Sequence, residues 1–339
     1  MMQSEVADIL AGLPFAALLI GYDEKIVAAN ATAQSLFGQA IIARHHGIAL
    51  RQPAVLQAID AALLRRESSV VRQSLAGQVH EVVHRVTVSA VAAGALCLFQ
   101  DISDQEQAEQ MRRDFVANVS HELRTPLTSV LGFIETLRGP ARQDEPARDR
   151  FLAVMATEAE RMNRLVRDLL QLSRVEAQER QRPTAREDLA KLVLTAVQNL
   201  RPLIEQSGVE VVLKGLDSPV QIYADADQMT QVVTNLVENA IKYGSSGKWI
   251  GLTLTPEETP RGRLVRLEVA DRGEGIDAVH LPRLAERFYR IDGHRNREKG
   301  GTGLGLAIVK HIAQRHRGRL VVDSVLGKGT RFAVVLPAD

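Results

Sequence analysis

The stretch NVSHELRTPLTS, Asn118 to Ser129, sets an imidazole, a carboxylate and a hydroxyl within one or two helical turns. His121 beside Glu122 is a nucleophile next to a proton acceptor. Thr125 follows His121 by four residues and shares its face of a helix. Pro126 is the odd member. Inside a helix it removes a backbone bond to the carbonyl of Glu122 and its ring clashes there, at ~3 kcal/mol. We read it as a weak point that lets the helix bend beside the histidine. Taken alone, a histidine in this setting is more often part of a solvated face.

A second group of residues lies far downstream. NLVENAIKYG places Asn235 and Asn239 one helical turn apart, with Lys242 three further on the same face. Amide oxygens are neutral hard ligands that suit Mg²⁺, and a lysine beside them holds a phosphate as a point charge. DRGEGI, Asp271 to Ile276, follows the apolar run VRLEVA. A carboxylate at a strand end, then glycines, lets backbone approach a flat base while the acid accepts an amine proton. GGTGLGL, Gly300 to Leu306, opens a helix and offers free N–H groups to phosphates. Between these two runs Arg283 to Gly301 is polar and glycine-punctuated and reads as a lid, with Arg287 and Arg290 in reach of a terminal phosphate. Each run alone reads equally as a solvated helix face, a loop or a hairpin turn, as does GKGT at Gly327 to Thr330. Their order and spacing carry the signal.

The elements that must position these residues fall into three regions. The chain has 339 residues, too many for one typical core. Hydrophobic residues make up 45% and charged ones 24%, ordinary for a globular chain. A net charge of +1 gives no global field for nucleic acid or an anionic surface. The single cysteine, Cys97, excludes a disulfide framework and multi-cysteine metal clusters, and reads as a buried thiol. The most apolar early stretch, Ile9 to Tyr22, holds Gly12 and Pro14 and falls short of a bilayer span. The chain as given therefore reads as cytoplasmic; a longer form with an upstream anchor would add inner-membrane association and a membrane or transport-complex partner.

Residues 1–103 alternate strand-like runs with short helical pieces and read as a small sensor domain. AALLIGYD and KIVAAN predict two strands turning at Asp23 and Glu24, and ATAQSLFG predicts a helix stopped by Gly38. Residues 104–180 predict two helices. Met111, Phe115, Val119, Leu123, Leu127, Val130, Ile134 and Leu137 form a stripe on the first. Phe151, Met155, Met162, Leu165, Leu169 and Leu172 form one on the second, after a loop marked by Gly139, Pro140 and Pro146. One hairpin buries only part of such stripes, so a second copy completing a four-helix bundle is expected. Ala177 to Asp188 reads as a linker. Residues 187–339 alternate helices and strands and predict a two-layer α/β sandwich.

With these residues in view, the chain resembles the sensor histidine kinases of two-component systems. FVANVSHELRTPLTS resembles that family's H-box, NLVENAIKY its N-box, DRGEGI and GGTGLGL its two G-boxes and ERFYRID its F-box. The likeness covers about 108 to 339. The first region is similar to a PAS domain with a DIS exit into a signalling helix, and the H-box context looks most like phosphate-regulon sensors. The resemblance implies a multidomain α+β protein: a PAS-like sensor, a dimerising hairpin and an ATP-binding sandwich of the gyrase, chaperone and kinase superfamily. It implies Mg-ATP as substrate, with His121 attacking the γ-phosphate and Glu122 taking the ring proton. Asn235 and Asn239 would hold Mg²⁺, Lys242 the phosphates and Tyr243 the nucleotide edge. Asp271 would take the adenine amine, with Gly273, Gly275 and Ile276 around it. Gly301, Thr302, Gly303, Leu304, Gly305 and Thr330 would complete the nucleotide site. Thr125 would orient water for phosphatase action on a response regulator, the expected partner. That regulator would be a receiver-domain protein acting on DNA; the chain itself is expected to bind no nucleic acid and to form a homodimer. Two alternatives remain: an ATPase of the same superfamily, which shares the nucleotide boxes but does not need SHELRTP on a hairpin, and a silent sensory scaffold, against which the intact Asn239, Asp271 and glycines argue.

Overall fold

A computed structural model describes residues 2–76, 81–139, 142–260, 262–291 and 301–338. The chain divides into two compact units, one ending at Asp114 and one beginning at Phe115. In the first, helix α1 (Met2–Ala11) precedes strands β1 (Ala16–Ile20) and β2 (Ile26–Ala29). Helices α2 (Ala31–Phe37), α3 (His46–Ala49) and α4 (Pro53–Arg65) follow, then β3 (Ser69–Ala76), β4 (Glu81–Val91) and β5 (Gly94–Asp101). The strands form one antiparallel sheet in the order β2-β1-β5-β4-β3.

The two-residue period of a strand explains its two buried faces. Ala16, Leu18 and Ile20 of β1 meet Ala33, Val55 and Ile59 of the helices on one side. Ala17 and Leu19 meet Leu10 of α1 on the other. The expected turn is present, with Glu24 at φ 61°. The Asn30 side chain accepts from the Ala33 N–H to start α2, and Gly38 ends it at φ 103°. Sequence reading did not resolve α4 or β3. Cys97 is fully buried, and burial pushes its thiol up to about 12. Two adjacent histidines differ: exposed His45 meets Glu24 at 2.9 Å while His46 is buried. The DIS exit is fastened to β4: the Ile102 N–H donates to the Val83 carbonyl at 2.8 Å, and the Val83 N–H donates to Ser103 Oγ at 2.9 Å.

Helix α5 (Ser103–Arg138) runs unbroken through Pro126, which is buried. Helix α6 (Glu145–Gln178) starts where Asp144 accepts from the Ala147 N–H at 3.0 Å, with Pro146 in its first turn. Phe133 and Phe151 stack across the hairpin with centroids 5.1 Å apart. Pro140 lies outside the described residues. The stripes are only partly covered: Leu165 and Leu172 are buried, but Met111, Leu127 and Ile134 remain exposed, as do Leu131, Leu152 and Leu170 elsewhere on the two helices.

The sandwich continues with β6 (Arg186–Asp188), α7 (Leu189–Asn199), α8 (Arg201–Ser207), β7 (Glu210–Lys214) and β8 (Gln221–Tyr223). It ends with α9 (Ala226–Gly244), β9 (Trp249–Thr259), β10 (Gly262–Asp271), α10 (Gly305–Arg315), β11 (Arg319–Val325) and β12 (Gly329–Pro337). The main sheet runs β11-β12-β10-β9-β7, with only the β7–β9 pair parallel among its described strands. Ile250, Leu252, Val265, Leu267, Phe332 and Val334 point from it into one core with Val193, Val233, Leu236 and Ile308 of α7, α9 and α10. Leu165, Leu172 and Val175 of α6 join that same core. The linker stretch is not a free tether. Its end is β6, paired with β8, and Arg182 stacks on Tyr223 at 5.2 Å. No helix among the described residues is long and apolar enough to cross a membrane.

Candidate active site

His121 sits on α5 between the half-buried Val119 and Leu123 and is exposed. Leu123 packs on the core of the sandwich, so the helix is anchored on one side while the imidazole faces water. The ring makes no hydrogen bond to a described residue. The Thr125 hydroxyl donates to the His121 carbonyl at 3.2 Å. Glu122 Oε2 accepts from Arg161 of α6 at 3.0 Å, each side chain about one-third exposed. Arg161 was not legible as a site residue: it lies 39 positions away on the other helix. It pins Glu122 beside the histidine.

The nucleotide residues gather where α9, the end of β10 and the start of α10 meet. Helix α9 begins at Asp225, whose carboxylate accepts from the Gln228 N–H at 3.2 Å and pairs with Arg315 at 3.0 Å. The apolar face of α9 buries Met229, Val232, Val233, Leu236 and Ala240 and leaves Asn239 and Lys242 half-buried. Asn235 is buried. Its oxygen accepts from Gln231 at 2.8 Å and its amide donates to the Gly305 carbonyl at 3.1 Å, tying α9 to the first residue of α10. The Asn239 amide makes no hydrogen bond to a described residue. The Lys242 ammonium lies against Gly301 and over the Tyr243 ring at 4.9 Å. Burial raises the Tyr243 phenol, and the charge of nearby Arg290 works against it.

Asp271 closes β10 and is buried. Its Oδ1 accepts from the Gly273 N–H at 2.8 Å and the Thr330 N–H at 3.3 Å. Burial raises its carboxyl above the usual range, and those two N–H groups act the other way. Oδ2 takes no hydrogen bond from a described residue, so one lone-pair edge is left for a ligand amine. Gly244, at the end of α9, was missed by sequence reading. A Cβ there would run into the Asp271 side chain, so only glycine lets the helix end approach the acid. Gly275 flanks Ile276, whose N–H donates to Ser324 Oγ at 2.8 Å.

Leu304 is buried and precedes α10. Gly303 adopts φ 70°, and its carbonyl accepts from the Phe288 N–H at 2.9 Å. That bond straps the two ends of the expected lid together; residues 292–300 between them lie outside the described residues. Thr302 Oγ1 accepts from the Leu304 N–H at 3.3 Å and donates to Asp168 Oδ2 of α6 at 2.7 Å. Arg287 does not turn toward the nucleotide residues. It pairs with Glu176 of α6 at 2.7 Å and lies over Phe115 of α5. Charge alone gave no warning that an acid of the hairpin would claim it.

Comparison with known proteins agrees with this geometry. The family of histidine kinase-, DNA gyrase B-, and HSP90-like ATPases matches residues 224–339, and the His Kinase A phospho-acceptor domain matches 111–178. The sensor histidine kinase WalK of Bacillus subtilis is 38% identical over 244 residues, 72% of this chain and 39% of its own length. The sensor protein kinase WalK of Staphylococcus aureus is 37% identical over 259 residues, 75% of this chain and 60% of its own. The chain belongs to the two-component sensor histidine kinases. It spans less than two thirds of these kinases' length. The crystal structure of histidine kinase ThkA in complex with response regulator protein TrrA shares the fold, with a TM-score of 0.51 at 18% identity and 98% of each chain covered. These histidine kinases give the phosphate-regulon expectation no support.

Proposed function

We propose that this histidine kinase phosphorylates itself on His121 from Mg-ATP and passes the phosphoryl group to an aspartate of a response regulator. The observation that carries the reading is an exposed imidazole with no bonded partner among the described residues, in one compact unit with Asn239 and with an edge of Asp271 that takes no hydrogen bond from those residues. A ring nitrogen of His121 attacks the γ-phosphorus, the bond to the ADP oxygen breaks and the ring proton passes to Glu122, which Arg161 holds in place. Asp271 accepts from the adenine amine. Lys242 and the backbone N–H groups at the start of α10 face the phosphate tail. The residues fit a magnesium ion: the Asn239 amide oxygen is unused by described residues, and Asn235 keeps a lone pair beyond the Gln231 bond. When bound, the ion offsets phosphate charge. The solved ThkA pair with a response regulator supports that partner class.

The exposed leucines of α5 and α6 support a homodimer closing a four-helix bundle. We read residues 1–103 as a PAS-like sensor, 104–180 as the phosphotransfer hairpin and 187–339 as the catalytic domain. The antiparallel five-stranded sheet with helices on its faces and the fastened DIS exit support the first assignment. Incubation with Mg-ATP followed by peptide mapping at alkaline pH tests the reaction. Phosphoryl on the peptide containing His121 is expected; phosphoryl on serine or threonine alone would contradict it.

A further inference from the structure

Two donors beside the strap between Phe288 and Gly303 are claimed by acids of the phosphotransfer hairpin. Thr302, in the glycine-rich run that opens α10, gives its only hydroxyl proton to Asp168 Oδ2 at 2.7 Å. Arg287, next to the Phe288 that is strapped to Gly303, gives its guanidinium to Glu176 at 2.7 Å. Asp168 and Glu176 are eight residues apart on α6, two turns along one face. Phe288, strapped to Gly303, packs against Phe115 of α5 with centroids 5.8 Å apart. A nucleotide phosphate is an anion seeking hydroxyl and guanidinium donors. Here two carboxylates already hold them.

We propose that Asp168 is an intramolecular competitor of the ATP phosphate tail, an affinity-determining residue carried on the hairpin. It rests on the nucleotide-site reading above. Thr302 has one O–H proton and cannot donate to a carboxylate and a phosphate at once. The Asp168 charge also repels any phosphate that reaches Thr302. Asp168 is half-buried, which weakens solvent screening of that repulsion. By linkage, whatever shifts the hairpin off Thr302 tightens nucleotide binding, and nucleotide loosens the hairpin contact by the same factor. Signal transmission into α5 and α6 then acts on ATP affinity as well as on the position of His121.

The test uses the full chain and two probes, AMP-PNP and adenosine, titrated into wild type, Asp168→Asn and Asp168→Ala. Asparagine keeps an acceptor for Thr302 and removes the charge; alanine removes both. AMP-PNP should tighten by about five- to tenfold in Asp168→Asn and at least as much in Asp168→Ala, a typical coupling between sites. Adenosine, which has no phosphate, should bind all three proteins equally. Equal AMP-PNP affinity in all three overturns the competition while leaving the nucleotide site intact. Adenosine tightening in step with AMP-PNP overturns it as well, since the contact would then act on the whole cleft. Absence of binding by either probe in all three proteins overturns the nucleotide-site reading and the competition with it.

Discussion

Asp271 and Glu122 show how differently two carboxylates are used. Asp271 is buried with two N–H donors on one oxygen, and its folded pKa is raised. Between the unfolded and folded values the native state binds more protons. The stability this group contributes is thus present below about 3.9 and lost as pH rises through the folded value. Asp271→Asn should weaken AMP-PNP by about tenfold or more, the scale of a lost charge-assisted bond. Its effect on the urea midpoint should be more favourable at about pH 7 than at about pH 4, because the substitution removes a buried charge that costs stability only when ionised. An identical midpoint difference at both pH values would contradict the assignment. Glu122 is instead held by Arg161 on the neighbouring helix. Arg161→Ala should slow His121 phosphorylation by about tenfold, a partial loss of the roughly 10²- to 10⁴-fold that a positioned proton acceptor supplies, while AMP-PNP affinity stays at the wild-type value. Loss of both together would mean that Arg161 acts on the fold and not on Glu122.

At the scale of elements, Pro126 defines the hairpin. Helix α5 continues through it, so the Glu122 carbonyl goes without its usual N–H partner one residue from His121. Pro126→Ala restores that bond and should raise the melting midpoint while changing the ratio of phosphorylation to dephosphorylation rates. Unchanged rates with a raised midpoint would leave Pro126 no role in bending. Exposed Leu127 and Leu131, 49% and 53% accessible, follow directly. A Leu131→Arg substitution should convert a dimer to a monomer in light scattering; a dimer that survives it would remove this face from the interface. Local pattern made these elements legible. The 3.6-residue stripes and the Gly38 stop each report on neighbours within a few residues. The contacts that assemble the site did not show, because they join distant positions: Asp168 meets Thr302 across 134 residues, and Arg161 meets Glu122 across 39. Polar residues on a helix read as solvated until their partner is known. The linker misled for the same reason. Its composition is that of a tether, yet β6 and Arg182 pack on β8.

Across the whole molecule, the catalytic unit is tied together at both ends of its chain. Arg315 and His316, at the end of α10, hold Gln181 of the linker and Asp225 at the start of α9. The His316 ring is neutral by design of its partners: Nε2 accepts from the Asp225 N–H at 3.1 Å while Nδ1–H donates to the Ile312 carbonyl at 2.8 Å. Burial lowers its pKa. The unfolded histidine binds the extra proton first, so the stability from this ring is present above about 6.5 and lost as pH falls through the folded value. The melting midpoint should fall on acidification from about pH 7 to about pH 5, and His316→Gln should flatten that slope by removing the titrating ring. A slope unaltered by the substitution would place the titration elsewhere. Hairpin and sandwich thus share one core, with the linker bonded to the sandwich. The most direct test gives γ-labelled ATP with Mg²⁺ to wild type and to His121→Gln and measures AMP-PNP affinity on both. Acid-labile, alkali-stable label is expected on wild type only, with nucleotide affinity preserved in the variant. Equal labelling of His121→Gln would contradict it.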